Sequence, residues 1–186
     1  MWESKDLSKW KTNNSNLIID SDWVKVRKDN VTLPNGCNID DFYVITIKNA
    51  SAVVALDKDR NIILKKEYRY TYDSELVEIP AGVFNKDETD SLDVAKRELL
   101  EETGYCSDNW LYLGATIESS AKFTNHIHLY FADNCYRVAE QKLDESEQIE
   151  ILKIPFSEAI DMVMRNEICC NSSANAILKV ARMLRF

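Results

Sequence analysis

The pattern of apolar and polar positions divides the chain near its fiftieth residue. In the first part, WVKVR at 23–27 alternates apolar and charged residues, LPNG at 33–36 is a turn signal, and FYVITI at 42–47 resumes a strand. A hairpin this small is marginal alone and needs a partner surface. We therefore predict an N-terminal β unit over residues 1–50 and a second domain over residues 51–186.

The second domain alternates between strand and helix patterns. Strands are predicted at 52–56, 61–69, 75–80, 110–117, 126–132 and 149–154, and helices near 156–166 and 173–184. A further helix has Asp90 or Ser91 as its cap, runs to Thr103, and is followed by Gly104 as the expected left-handed residue. This alternation predicts an α/β fold in which helices cover both sides of a mixed sheet.

Composition narrows the classes of function. The net charge of −8 argues against a nucleic-acid partner, and no apolar run approaches the roughly 20 residues of a membrane span. The five cysteines are odd in number and lack zinc-site spacing, and the adjacent Cys169 and Cys170 are most simply buried thiols. We therefore expect a protein of the reducing cytoplasm that has neither nucleic acid nor membrane as a partner.

The stretch KRELLEETGY at 96–105 carries the most informative chemistry. Glu98, Glu101 and Glu102 fall on one helix face, where like charges repel and where the helix dipole also disfavours anions. A solvated acidic face is the plain interpretation of such a run. The alternative is a cluster that holds a hard divalent cation, since Mg²⁺ and Mn²⁺ prefer oxygen ligands.

The segment from Gly82 to Tyr105 resembles the signature of the Nudix hydrolases. Gly82, Glu88 and the RELLEETGY run match its fixed positions, although eight residues rather than seven separate Glu88 from Arg97. We expect the surplus residue in the TDSL loop before the helix. The resemblance implies an α/β/α sandwich with a mixed sheet, which here follows the small N-terminal antiparallel β unit.

The same resemblance implies roles for residues around this segment. Mg²⁺ (or Mn²⁺) would be held by the Ala81 carbonyl, Glu98 and Glu102, while Arg97 would orient the glutamates. Glu101 is a further candidate catalytic group.

Features outside the signature are similar to the ADP-ribose and nucleoside-diphosphate-sugar pyrophosphatase branch. These features are the N-terminal unit, KKEYRY at 65–70, ELVEIPAG at 75–82 and the acidic LDESEQ loop at 143–148. The resemblance makes Glu145 the candidate general base and Glu147 a further metal ligand, because one carboxyl of a pair can take a proton while its neighbour stays ionised. A solvated acidic loop is the alternative.

The branch also implies candidate contacts to substrate. Trp23 and Phe42 (or Tyr43) correspond to aromatics that enclose a purine base in a homodimer, although an aromatic on a strand can equally belong to the core. The remaining candidates are Arg69, Val83, Ser120, Lys122 and His126. Ala121 and Lys122 stand where ADP-ribose hydrolases usually have Pro-Gly, so ADP-ribose itself is left open as substrate.

Three functions are compatible with these residues. The first is metal-dependent hydrolysis of the pyrophosphate bond of ADP-ribose or a related nucleoside-diphosphate sugar, which releases a nucleoside monophosphate and a sugar phosphate. The second is a Nudix hydrolase of nucleoside tri- or diphosphates, including oxidised ones. The third is a Nudix module that senses a nucleotide without catalysis, and the intact glutamates disfavour it.

Overall fold

A computed structural model describes residues 9–186, which form two compact units. The first unit comprises the chain up to Lys48 together with Ser119–Asn125. The second unit comprises Asn49–Glu118 and His126–Phe186. Residues 1–8 of the predicted N-terminal unit lie outside the described residues.

The first unit is built on a three-stranded antiparallel sheet. Its strands are β1 (Lys11–Asp20), β2 (Val24–Thr32) and β3 (Asn38–Ile47), paired in that order. The sequence predicted β2 and β3 but missed β1, because every residue of β1 is exposed and no apolar face marks it. Trp23 lies in the turn before β2, not on the strand that the sequence predicted for it.

The second unit contains a mixed sheet, as the sequence predicted, with eight strands where six were predicted. Its strands are β4 (Ala50–Asp57), β5 (Asn61–Arg69), β6 (Ser74–Glu78), β7 (Ala81–Val83), β8 (Tyr105–Cys106), β9 (Asn109–Thr116), β10 (Ile127–Arg137) and β11 (Ile149–Pro155). The order is β11-β5-β4-β10-β8, with β6 paired to β5, β7 to β4 and β9 to β10. Strands β4 and β10 are parallel, and the other pairs are antiparallel.

Three helices cover the two faces of this sheet and confirm the predicted sandwich. They are α1 (Ser91–Thr103), α2 (Phe156–Met164) and α3 (Asn171–Leu184), and a single 3₁₀ turn at Tyr70–Tyr72 follows β5. Alternate residues of β4 pack on opposite faces of the sheet. Ala52, Val54 and Leu56 pack in the core with α2 and α3, whereas Val53 and Ala55 pack in the core with α1. This explains the unbroken apolar run of β4, since a strand buried on both faces shows no alternation.

Helix α1 begins and ends where the cap residues predicted. Of the two candidates, Asp90 is the N-cap, and its carboxylate accepts the Leu92 N–H at 2.8 Å. Gly104 ends the helix with φ at 74° and donates its N–H to the Leu100 carbonyl at 2.8 Å. Of the TDSL segment in which we expected the surplus residue, Thr89 and Asp90 precede the helix, whereas Ser91 and Leu92 already belong to its first turn.

Within residues 9–186, no helix combines the length and the apolar character needed to cross a membrane. The five cysteines are free thiols. The expectation that Cys169 and Cys170 are buried is wrong: Cys169 is exposed and Cys170 is half-buried, because they lie in the surface connection before α3. The buried thiol is Cys135, and burial raises its pKa to about 12.

Candidate active site

The acidic face of α1 is turned toward the sheet, not toward solvent. Glu98 and Glu102 lie one turn apart and are only 7% and 2% exposed, while Glu101 beside them is half-buried. Apolar residues of the same helix, Ala95 and Leu99, pack in the core of this layer and hold the helix in place. A solvated acidic face is therefore excluded for Glu98 and Glu102, and both carboxylates need partners inside the protein.

Glu102 meets its partners at the edge of β7. One carboxylate oxygen accepts the Ala81 N–H at 2.9 Å, and the other is paired with the Lys65 ammonium. Lys65 also donates to the Ala81 carbonyl at 3.2 Å, so the three residues form a closed hydrogen-bonded ring. Burial raises the pKa of Glu102 to about 7, although the Lys65 charge opposes that rise.

Lys65 was missed by the sequence interpretation. Its side chain is 2% exposed, and its ammonium also lies 3.6 Å from the Glu67 carboxylate. The alternation of side chains along β5 explains the position of Lys65. Ile63 packs in the core that contains α1, and Lys65 and Glu67 follow at two-residue spacing, so their side chains point to the same side of the sheet. Lys66, the next residue, points to the opposite side and pairs with Glu75.

Glu98 occupies the space beside Gly82. A Cβ at position 82 would collide with the Glu98 carboxylate, so the glycine provides the room in which this side chain lies. The Glu98 carboxylate also pairs with Arg97 at 2.7 Å. Burial raises the pKa of Glu98, and the Arg97 charge opposes the rise.

Arg97 connects the loop before α1 to the helix glutamates. Its guanidinium binds both oxygens of Glu88, at 2.7 and 3.0 Å, so these residues pair despite the surplus residue between them. It also donates to Glu101 and to the Val83 carbonyl, each at 3.1 Å. The hydrogen bond with Glu88 is the main cause that raises the pKa of Arg97. The Val83 carbonyl thus has a partner within the protein, while its side chain is exposed.

The segment before the acidic loop is bound to the last turn of α1. The Gln141 side-chain amide donates to the Glu102 carbonyl at 2.8 Å and to the Ile149 carbonyl at 3.2 Å. The Lys142 N–H donates to the Glu101 carbonyl at 2.8 Å. The sequence interpretation assigned no role to Gln141, whose partners are backbone groups far away along the chain.

The acidic loop has its own internal hydrogen bonds. The Glu147 carboxylate accepts the Asp144 N–H at 3.0 Å, and the Glu147 N–H donates to the Asp144 carbonyl at 2.9 Å. Glu145 is exposed. Among residues 9–186, no three His, Cys, Asp or Glu side chains converge as a preformed ion site. The structure therefore gathers Glu98, Glu102 and Ala81, but it does not gather Glu147 with them around one point.

Two other predicted contacts lie in the second unit, and the Arg69 side chain already has partners within the protein. Arg69 pairs with Glu78, through Nε at 2.8 Å, and with Glu67 at 3.2 Å. The backbone N–H of His126 donates to Asn49 Oδ1 at 2.9 Å, and the residue is exposed. Arg69 follows Lys65 and Glu67 at the same two-residue spacing, so all three side chains lie on the α1 side of β5.

The remaining predicted contacts belong to the first unit. Trp23 is 73% exposed and has the Lys48 ammonium 4.8 Å from its ring centroid, so it is not a core residue. Phe42 is half-buried, with the Lys122 ammonium 4.3 Å from its ring. Ser120, two residues before Lys122, is exposed.

The donor set around Ala81 fits a hard divalent cation. Glu98 and Glu102 contribute carboxylate oxygens, and Ala81 turns its carbonyl toward a cation, the Lys65 ammonium. Room for the Glu98 carboxylate depends on the missing side chain of Gly82. Oxygen donors of this kind suit Mg²⁺ or Mn²⁺.

The fold and this site define the class of protein: an α/β/α sandwich in which two glutamates of one helix are buried beside a backbone carbonyl of the sheet. Residues 46–167 match the NUDIX domain, and residues 10–45 match the nucleoside diphosphate sugar hydrolase N-terminal domain. The chain belongs to the Nudix family.

Similar proteins cover most of the chain. A methanol dehydrogenase activator of Bacillus methanolicus is 30% identical over 90% of each chain. An ADP-ribose pyrophosphatase of Bacillus subtilis (strain 168) is 31% identical over 80% of each chain. A GDP-mannose pyrophosphatase of Cronobacter sakazakii is 30% identical over 64% of this chain and 66% of its own length.

A solved structure shows the same fold. The crystal structure of an ADP compounds hydrolase aligns with a TM-score of 0.83 over 98% of this chain and 97% of its own, at 20% sequence identity.

Proposed function

We propose that the protein hydrolyses the pyrophosphate bond of a nucleoside-diphosphate sugar, such as ADP-ribose, with the help of a divalent metal ion. The observation that carries this proposal is the buried cluster of Glu98 and Glu102 beside the Ala81 carbonyl. The match of residues 10–45 to the nucleoside diphosphate sugar hydrolase N-terminal domain supports the substrate class. The ADP-ribose and GDP-mannose pyrophosphatases among the similar proteins support it further.

The residues proposed to hold the ion are Ala81 through its carbonyl, Glu98, Glu102 and Glu147. Mg²⁺ is the proposed ion and Mn²⁺ the alternative, because all four groups offer oxygen. An ion held by these residues would neutralise pyrophosphate charge and acidify a water molecule.

Side chains of this protein are proposed to accept the proton of the attacking water and to orient the glutamates. Glu145 is proposed as the base that takes a proton from the attacking water, and Glu101 is the second candidate. Arg97 holds Glu98 and Glu101 in position through its guanidinium. Attack of the water oxygen on one phosphorus breaks its bond to the bridging oxygen, and a nucleoside monophosphate and a sugar phosphate leave.

Recognition of the substrate is proposed to involve an aromatic surface and several polar groups. Trp23 offers an exposed ring for stacking with the base. Phe42 is the second aromatic candidate. The proposed polar and backbone contacts to sugar and phosphates are Arg69, Val83, Ser120, Lys122 and His126. Since Glu67 and Glu78 pair with Arg69, this residue has to exchange a carboxylate for a phosphate to take part.

We also propose that the protein is a homodimer formed through the first unit. Every residue of β1 is exposed, including Leu17, Ile18 and Ile19 in a row. Three consecutive apolar residues on an exposed strand are typical of a surface that a partner covers.

A substrate panel tests the proposed activity. Purified protein with Mg²⁺ is incubated with ADP-ribose, GDP-mannose, other nucleoside-diphosphate sugars, nucleoside triphosphates and 8-oxo nucleotides. We expect a nucleoside-diphosphate sugar to be turned over fastest, and Glu102→Gln to slow that turnover at least about a hundredfold. Faster turnover of triphosphates would contradict the substrate class, and binding without turnover of any compound would contradict catalysis.

A further inference from the structure

The buried ammonium of Lys65 lies among the groups that the proposed metal site would use. It contacts the Ala81 carbonyl at 3.2 Å and pairs with the Glu102 carboxylate. Both are proposed ligands of the divalent ion. The cluster of buried glutamates therefore already contains a cation, the Lys65 ammonium, which is part of the protein.

The contacts of Lys65 leave it little freedom to withdraw. Its side chain is 2% exposed, so an ammonium that left Glu102 would have to find another partner inside the protein. The nearest alternative is Glu67 at 3.6 Å, but that carboxylate also pairs with Arg69 at 3.2 Å. Staying between Ala81 and Glu102 is thus the arrangement in which each of these charges has a counter-charge.

An ammonium in this place competes with a divalent ion. A second cation bound to the same Ala81 and Glu102 oxygens would lie next to Lys65, where water does not screen their mutual repulsion. The carboxylate of Glu98 is paired with Arg97, and the nearby Lys65 charge also acts to lower its pKa. The divalent ion of the proposed function therefore has to bind lone pairs of Ala81 and Glu102 that Lys65 does not contact, and a further ion on the Lys65 side of these oxygens is excluded.

We infer that Lys65 is a resident cation that takes one cation position of the glutamate cluster, so the protein binds fewer divalent ions than its carboxylates alone would hold. This inference rests on the proposed metal-dependent function. The Lys65 ammonium would then supply part of the positive charge near the substrate phosphates. Removing that charge should open the Ala81 and Glu102 oxygens to an additional ion.

Counting bound Mn²⁺ tests the inference without any substrate. Free Mn²⁺ is measured by electron paramagnetic resonance in titrations of the wild type, Lys65→Met and Lys66→Met. We expect Lys65→Met to bind one more Mn²⁺ per chain than the wild type. Lys66→Met is the matched control, because it removes the same charge from the opposite side of β5, and its count should equal that of the wild type.

Thermal unfolding supplies a second measurement. In EDTA, Lys65→Met should unfold at a lower temperature than Lys66→Met, because Glu102 loses its buried counter-charge, and Mn²⁺ should raise its unfolding temperature more than that of the wild type. If Lys65→Met fails to fold, Lys65→Gln carries the same measurements, since its amide still donates hydrogen bonds. Equal Mn²⁺ counts and equal Mn²⁺ shifts in all variants would overturn the inference. Failure of the wild type to hydrolyse nucleoside-diphosphate sugars, with an extra ion in Lys65→Met, would contradict only the proposed function.

Discussion

Counter-charges explain how two glutamates of one helix can both be buried. Glu98 is paired with Arg97, and Glu102 is paired with Lys65 and with the Ala81 N–H. Removing one member of such a buried pair is costly because it leaves the other charge without compensation. The repulsion expected along the helix face is thus offset by residues from the sheet and from the helix itself.

Gly82→Ala tests the close approach of Glu98 to the backbone. The backbone of Gly82 does not have a positive φ, so alanine is strained here only by its contact with the Glu98 carboxylate. We expect the substitution to lower the free energy of unfolding by about 1–3 kcal/mol, as overpacking does. Urea unfolding of the two proteins measures the difference, and hydrolysis should decrease in parallel because Glu98 is displaced.

A double-mutant cycle supplies the control for Gly82→Ala. In the Glu98→Ala background, the new methyl group has no carboxylate to collide with. Gly82→Ala should therefore cost clearly less free energy of unfolding there than in the wild type. Equal costs in the two backgrounds would show that some other contact of position 82 is responsible.

Sequence spacing predicted some members of the site and could not predict others. The i, i+3 and i+4 spacing placed Glu98, Glu101 and Glu102 on one face. Lys65 was not predicted because it is one of two adjacent lysines, and only the register of β5 shows which of the two faces α1. Gln141 was not predicted because its hydrogen-bond partners are backbone carbonyls, which a pattern of side chains does not indicate.

At the scale of elements, apolar patterns predicted most strands and the last two helices, and cap residues predicted the bounds of α1. Helix α1 has the predicted bounds because Asp90 and Gly104 end its hydrogen-bond ladder. Three strands were missed. Strand β1 has no buried face, while β7 and β8 contain only three and two residues, too few to establish a period. Their positions follow from pairing with neighbours, which is a tertiary property.

Asp57 closes the turn between β4 and β5. Its carboxylate accepts the N–H groups of Asp59 and Asn61, at 2.9 and 2.8 Å, and pairs with Lys153 at 2.6 Å. Burial acts to raise the pKa of Asp57, but Lys153 and the hydrogen bonds outweigh it and hold the pKa below its usual value. The ionised form is therefore favoured in the folded protein.

This lowered pKa predicts a pH-dependent stability. The contribution of Asp57 should be complete above its unfolded pKa of about 4 and should be lost as the pH falls through the lower folded value. We expect Asp57→Asn to lower the free energy of unfolding by about 1–2 kcal/mol at pH 7, and by progressively less as the pH falls below about 4. Urea unfolding across this pH range measures it. A difference that stays constant with pH would contradict the account of Asp57.

At the scale of the whole molecule, the chain joins two units that match two different domain families. The change of pattern after residue 50 is the sequence signal from which we predict a domain boundary there. The sequence did not predict that Ser119–Asn125 belongs to the first unit, because the contacts of this segment are long-range. One of them is the hydrogen bond from the Ile45 N–H to the Lys122 carbonyl at 2.8 Å.

The proposed homodimer predicts a molecular mass. Light scattering after gel filtration should give about 43 kDa, twice the 21.5 kDa of the chain. Replacing Leu17 and Ile19 of β1 by glutamate should give the monomer, because it places charge on an apolar interface. Glutamate at Asn14 and Asn16 adds the same charge to the same strand and should leave the dimer intact. A wild-type monomer would refute the proposal.

The products of ADP-ribose cleavage test the central claim most directly. The protein is incubated with ADP-ribose or GDP-mannose and Mg²⁺, and the products are separated by ion-exchange chromatography. We predict equal amounts of nucleoside monophosphate and sugar phosphate, formed only with a divalent ion and at least about a hundredfold more slowly by Glu102→Gln. Release of a nucleoside diphosphate and free sugar, or an unchanged rate in Glu102→Gln, would contradict the account.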